Sequence, residues 1–256
     1  MTETVEVDYI SPRHLAGGGD PAWITVPLHR ACGWRYDHEP LMPRVVLTSL
    51  NKRAVLRLEP TVEGQWWALH HTSGEGQPDW YASFGARTPV ELIAGFMDAL
   101  TDPTPSEKGP SDPFEPLRRQ SWGTAPGAPG LVSADGTAFV QRLGNEDDPG
   151  AWFATTTLQT NRPVWQARFG EHTPHRLISA FTTALADPQS VWRTNSPLGL
   201  PTLDPKVISR HTVTAPKALV PAALVDRVTT LAARPPAPTV EPNPPGPPAP
   251  RASRRH

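Results

Sequence analysis

The sequence predicts an α+β fold of two tandem repeats, each a four-stranded antiparallel sheet with a short N-terminal helix and a longer C-terminal helix packed on one face. Three observations predict it. Residues 46–103 align without a gap onto residues 131–188 at a constant offset of 85, with 19 of the 58 positions identical. Each copy closes on an apolar pattern of helical period behind a Thr-Pro pair. Ahead of that helix, short runs alternate apolar and polar residues with the period of two that marks half-buried strands.

The repeats span 27–103 and 113–188, because PLHRACGW (Pro27 to Trp34) is similar to PLRRQSW (Pro116 to Trp122) and supplies each short opening helix. Residues 1–26 form an N-terminal segment, and 104–112 form a Pro/Ser/Gly-rich linker. The runs VVLTS, AVLRLE and QWWALHH read as three strands and correspond to LVSA, FVQRL and AWFATTT. The fourth strand places Trp80, Ala82 and Phe84 on one face and Tyr81 and Ser83 on the other. Its counterpart keeps Trp165, Ala167 and Phe169 but carries Gln166 and Arg168 opposite. The shared side is expected to meet the helix, and the varied side solvent or a partner. In the long helix, Leu92, Ile93, Phe96, Met97 and Leu100 make one apolar face, repeated by Leu177, Ile178, Phe181 and Leu185. Thr88 is expected as N-cap, with Pro89 at the first helical position and Glu91 completing a capping box. Residues 189–233 form an extension in which KALVPAALVDRVTTLAA reads as a short helix with Pro221 in its first turn. From 234 to 256, nine of the 23 residues are proline, a composition expected to stay disordered.

The segment SPRHLAGGGDP (Ser11 to Pro21), the turns LTSLNKRA and LVSADGTA, and the doubled FGxxTPxxLIxxFxxAL together resemble the SPDY domain. That is a streptomycete family known as domain of unknown function 317, often present in two copies. The resemblance covers roughly residues 8–188 and implies an actinobacterial protein. The excess of arginine over lysine and the frequency of Ala and Pro fit a GC-rich coding source. SADG (Ser133 to Gly136) is closer to the family's Ser-Pro-Asp turn than SLNK (Ser49 to Lys52), which predicts a looser first turn. The family brings no established activity with it.

Composition excludes several classes. One cysteine, Cys32, permits no internal disulfide and no cysteine-rich zinc site. No run of about 18 apolar residues exists to span a bilayer. The start, MTETVEVDYI, has neither the basic nor the apolar region of a secretory signal, so a cytoplasmic protein is expected. The formal charge is −2 over each of 27–103 and 112–188 but +6 over 189–256. Mildly acidic repeats disfavour nucleic acid as the partner, since phosphate contacts supply most of such affinity.

Candidate chemistry is sparse. GGGDP (Gly17 to Pro21) lacks the lysine of a P-loop and the spacing of a dinucleotide fingerprint, and reads as a turn into an Asp-capped helix. His70 and His71 are adjacent in a strand and point to opposite faces, so they cannot share a metal. Cys32 reads as a small buried residue. No nucleophile motif or paired carboxylates stand out, and no enzyme, cofactor or metal is expected. The candidate binding surface is Arg57, Trp66, Tyr81, Arg142, Gln166 and Arg168. Trp66 is expected to point outward beside Tyr81, and Arg57 and Arg142 to occupy equivalent places on the open sheet faces. Tail contacts would come from Arg251, Arg254 and Arg255. The expected role is a non-catalytic interaction protein with a protein partner and no membrane. Single-stranded nucleic-acid binding through the open faces is the alternative, by similarity in element order to the β-β-β-β-α units of Pur-alpha and Whirly proteins. An enzyme with a site between the repeats is a third.

Overall fold

A computed structural model describes residues 3–38, 44–62, 64–104, 112–125, 127, 129–144, 150–158, 163–194 and 199–235. The chain begins with strand β1 (Thr4–Ser11), a single 3-10 turn (Arg13–Leu15) and helix α1 (Ala22–Arg30). The first repeat continues through β2 (Arg35–His38), β3 (Val45–Thr48), β4 (Ala54–Thr61), β5 (Gly64–His71), β6 (Trp80–Phe84) and α2 (Val90–Leu100). The second repeat supplies α3 (Glu115–Arg119), β7 (Gly123–Thr124), β8 (Gly130–Val132), β9 (Ala138–Leu143), β10 (Ala151–Thr157), β11 (Pro163–Phe169) and α4 (His175–Ala186). Strands β12 (Val191–Thr194) and β13 (Ser209–Pro216) and helix α5 (Leu219–Ala232) follow.

The architecture is α+β and antiparallel, but the expected pair of four-stranded sheets is replaced by one sheet of ten strands, ordered β2-β3-β4-β5-β6-β11-β10-β9-β8-β7. Each repeat gives five strands, because the stretch after the first tryptophan (Arg35–His38, Gly123–Thr124) adds a short edge strand. The two copies then join through their last strands: Ala167 faces Phe84, Arg168 faces Ser83 and Phe169 faces Ala82. A sheet edge exposes unpaired N–H and C=O groups, and this junction pairs two such edges with each other. The turns beyond the strands lengthen the seam in a near-symmetric way. Gly85 N–H donates to Gln166 O at 2.8 Å, and Gly170 N–H donates to Tyr81 O at 2.9 Å.

A second sheet, β12-β1-β13, ties the chain's beginning to its end. β1 pairs along its whole length with β13 and along Val7–Ile10 with β12. Its small core is Ile10, Leu15, Ala16, Val191 and Ile208.

The main core follows the shared residues. Trp67, Phe84, Phe96, Phe169 and Phe181 are all at most 1% exposed. At the centre Phe84 lies 5.6 Å from Phe96, 5.9 Å from Phe169 and 5.8 Å from Phe181, and Phe96 stacks on Phe169 at 5.5 Å. Rings from both repeats therefore fill the seam under the sheet, in offset and edge arrangements that such rings favour. The place where a site between the repeats is expected is packed with phenylalanine on the helix side. Gly95 lets α2 approach α4: a Cβ there would stand 3.0 Å from Ala184 Cβ.

The capping box ahead of α2 does not form. The helix starts one residue late, with Pro89 at its N-cap, and the buried Thr88 hydroxyl has no partner. Glu91 is instead drawn into an ion pair with Arg193. In the second repeat the matching Thr173 hydroxyl donates to Tyr81 O at 3.1 Å, so it stitches the repeats together rather than capping its helix.

Candidate binding face

Helices α2 and α4 cover one side of the ten-stranded sheet, and the alternation of each strand decides what the other side displays. In β5 the buried Trp67 and Leu69 alternate with the exposed Trp66 and His70. In β6 the buried Trp80, Ala82 and Phe84 alternate with exposed Tyr81 and half-buried Ser83, and in β11 the buried Trp165, Ala167 and Phe169 alternate with exposed Gln166 and Arg168. Cross-strand register then fixes neighbours on the open side. Tyr81 lies opposite His70, Gln166 opposite Thr155, and Arg168 opposite Phe153 on one flank and Ser83 on the other.

These neighbours form a connected patch over the seam. The Arg168 guanidinium carbon stands 5.3 Å from the Tyr81 ring centroid and 5.7 Å from that of Phe153. Gln166 Nε2 donates to Thr155 Oγ1 at 3.1 Å. Beside it, Phe139, Gln141, Thr155, Thr157 and Gln166 line a groove of about 370 Å³ on the same face. An arginine held over two rings keeps its in-plane donors for a carboxylate, carbonyl or phosphate while the rings supply apolar area.

Five of the six residues proposed from the sequence lie on this face: Arg57, Trp66, Tyr81, Gln166 and Arg168. Two expectations about them need correction. Trp66 is not beside Tyr81, because Tyr81 pairs with His70; four residues of strand, about 13 Å, separate Trp66 from that position. Arg142 is on the other side. It faces Trp152 in the ladder, just as Leu58 faces Trp67, so the structural partner of Arg142 is Leu58 and that of Arg57 is Gln141. The offset of 85 holds from β5 onward, whereas in β4 and β9 it is 84. A one-residue difference in the connection to the next strand moves the whole strand to the other face. Phe139 and Gln141 were missed as members of the face for the same reason, whereas Phe153 follows from alternation with the buried Trp152. Val140 as an inward residue was the available signal. Arg251, Arg254 and Arg255 lie outside the described residues.

The Ser-turns, expected to differ in firmness, share one hydrogen-bond pattern. Ser49 Oγ donates to Asn51 Oδ1 at 2.8 Å and accepts Ala54 N–H at 2.9 Å. Ser133 Oγ donates to Asp135 Oδ1 and accepts Ala138 N–H at 2.9 Å. The difference lies in the left-handed position, filled by Gly136 at φ 71° in one turn and Lys52 at φ 59° in the other.

The second turn also holds the N-terminal segment. The buried His14 Nε2 reaches Thr137 Oγ1 at 2.7 Å and Asp135 Oδ2 at 3.3 Å, and Trp165 Nε1 donates to His14 O at 2.8 Å. Burial pushes the Asp135 carboxyl up, but hydrogen bonds from His14, Ser133 and the Thr137 N–H outweigh it and hold the group well below the usual carboxylate range. The hydroxyls of Ser133 and Thr137 both donate to Asp135 Oδ1. A carboxylate held so far below its usual range is a weak base toward either hydroxyl. The cluster works as a latch.

The two histidines of β5 divide between the faces, and Cys32 packs against the core. His70 is exposed, whereas His71 stacks on Trp80 at 4.7 Å and burial lowers its pKa. Burial raises the pKa of the half-buried Cys32 thiol, which lies beyond the end of α1. Among the described residues no three His, Cys, Asp or Glu side chains gather to hold a metal, and no helix is long and apolar enough to cross a membrane.

Comparison with known protein families matches the sequence to one of them. The model of the SPDY domain, a domain of unknown function (DUF317), matches residues 48–106 and again 132–191. The chain carries two tandem SPDY domains. Each match runs from the Ser-turn to just past the long helix, so a SPDY domain here comprises three long strands and the helix that covers them. The edge strands β2 and β7, the opening helices and the SPRHLAGGGDP segment lie outside the matched residues. No curated protein and no solved structure matches the chain.

Proposed function

We propose that this tandem SPDY protein is a non-catalytic binding module, that its recognition surface is the open face of the ten-stranded sheet, and that its partner is a protein. The observation that carries this reading is the patch over the seam, where Arg168 lies over Tyr81 and Phe153 beside Gln166 and Thr155. Exposed tyrosine and arginine grouped beside an amide, with tryptophan farther along the same face, are residue types enriched where proteins meet proteins. The face is also assembled only when both repeats pair, which gives the duplication a role.

Single-stranded nucleic acid is the second reading, favoured by the same aromatic and guanidinium groups, which bases could stack upon. The mildly acidic repeats speak against it, because Glu59 shares the face with Arg57 and phosphate contacts need a surplus of cations.

The experiment is capture of partners from the native cell by the full chain and by Tyr81→Ser/Arg168→Ser, alongside titration of labelled oligonucleotides at low salt. Loss of a specific protein with the double variant, and no oligonucleotide binding, is the expected result. Retention of all partners by the variant overturns the proposed face, and tight oligonucleotide binding replaces the protein partner with nucleic acid.

A further inference from the structure

The glycine run Gly17–Gly19 plays no part in the open face, yet it is among the most constrained backbone in the molecule. A Cβ on Gly17, at φ 72°, would stand 2.5 Å from Gly199 O. One on Gly19, at φ 78°, would stand 2.8 Å from Val90 Cγ2 and 3.1 Å from the Arg193 guanidinium carbon. Both positions therefore require glycine, for space as well as for the left-handed backbone. Gly18 O accepts the first free N–H of α2, from Val90, at 2.9 Å. The run packs between the start of α2 on one side and Arg193 and Gly199 on the other.

Behind it lies a cavity of about 570 Å³, bounded by the start of α1, the start of α2, β12 and the first turns of α5. That volume falls within the roughly 300–1,000 Å³ typical of small-molecule sites. Trp23, Trp192, Val90 and Leu224 supply apolar wall, and the polar side chains include Asp20, Glu91 and Arg193.

The hydrogen bonds of those polar groups decide what the cavity can take. Arg193 is saturated. Nε donates to Ala16 O, Nη1 to Glu91 Oε1 and Trp192 O, and Nη2 to Glu91 Oε2 and Gly17 O. All five guanidinium donors are committed, so no donor remains for an anion. The carboxylates keep capacity: Glu91 accepts two of the four or so bonds its oxygens can take, and Asp20 Oδ1 accepts the Ala22 N–H at 2.9 Å. Two carboxylates against one guanidinium leave the lining net negative, and two indoles add faces that attract cations. Arg227 already uses Trp23 in this way, 5.3 Å from the ring centroid.

We propose that this cavity is a binding site for a small organic cation, an ammonium carried on an apolar body, with Asp20 and Glu91 accepting its protons and the tryptophans packing on its body. The test is isothermal titration of the full chain with phenethylammonium and with 3-phenylpropanoate, similar in shape and opposite in charge. Saturable heat with the amine and binding about tenfold weaker or absent with the carboxylate is expected. Leu224→Trp, which fills the cavity from α5, should abolish amine binding. Asp20→Asn, which retains the cap on Ala22, should weaken it by about three- to tenfold. Tyr81→Ser/Arg168→Ser should leave it unchanged, which separates this site from the open face. Equal binding of both probes, no binding of the amine, or full binding by both cavity variants overturns the proposal.

Discussion

The two repeats agree on one side of the sheet and disagree on the other. Toward the helices, Trp67, Trp80, Ala82, Phe84, Leu92, Ile93 and Phe96 are matched by Trp152, Trp165, Ala167, Phe169, Leu177, Ile178 and Phe181. On the open side, Trp66, Ala68, His70, Tyr81 and Ser83 stand where the second copy has Ala151, Phe153, Thr155, Gln166 and Arg168. The first set meets a close-packed interior, where a change of one methylene is felt. The second set has solvent on it and is not held by packing. A fused sheet of this kind has a symmetric inside and an asymmetric outside, so its open side is a single composite surface rather than two equivalent ones. The Arg168–Tyr81 contact crosses the seam and exists in one sense only.

The largest effect separating the two sides should come from the seam. Phe84→Ala and Phe169→Ala are each expected to lower unfolding free energy by about 3–5 kcal/mol in urea denaturation. Equal truncation on the open face, Tyr81→Ala or Trp66→Ala, should cost less than about 1 kcal/mol. Similar losses on both sides would erase the distinction between the packed and open faces.

The turns allow a finer comparison between repeats. Asp135→Ala removes bonds to Ser133, Thr137 and His14, and is expected to cost about 1–2 kcal/mol at pH 7, more than Asn51→Ala in the first turn. The folded Asp135 carboxyl sits below its unfolded pKa of 3.8, so its contribution is fully present above that value and is lost as pH falls below it. Denaturation midpoints of wild type and Asp135→Ala should therefore converge below about pH 4; a gap that stays constant would remove the latch. Lys52→Gly should stabilise by about 1 kcal/mol through relief of the left-handed position, and Gly136→Lys should destabilise by a similar amount.

The smallest effect concerns charge on the open face. Arg57→Ala should change stability by less than about 0.5 kcal/mol. In the partner-capture experiment its effect should be weaker than that of Arg168→Ser, because Arg57 lies on β4, away from the seam.

Much of this was legible in the residues. Trp80-Tyr81-Ala82-Ser83-Phe84 displays its two faces by alternation alone, and the helix behind Thr88-Pro89 displays its apolar stripe. Long-range pairing was not. The seam rests on three residue pairs between strands that begin 83 positions apart, and no period marks an edge that will be paired. The small sheet joins Thr4–Ser11 to Ser209–Pro216, a closure that only the three-dimensional structure reveals. Arg142 was misplaced by a coincidence: matching it to Arg57 is favourable at an offset of 85, while the strands themselves correspond at 84. The capping box loses its Glu91 half to Arg193, a residue from beyond the second repeat.

The central claim is that the two SPDY domains fold as one sheet with one composite face. Amide hydrogen exchange on Phe84→Ala tests it most directly, with β5 reporting on the repeat that carries the substitution and β10 on the other. The account predicts that protection falls by the same factor in both strands, because Phe84 packs against Phe169 and Phe181 as well as Phe96. A loss confined to β5, with β10 exchanging as in wild type, would contradict it.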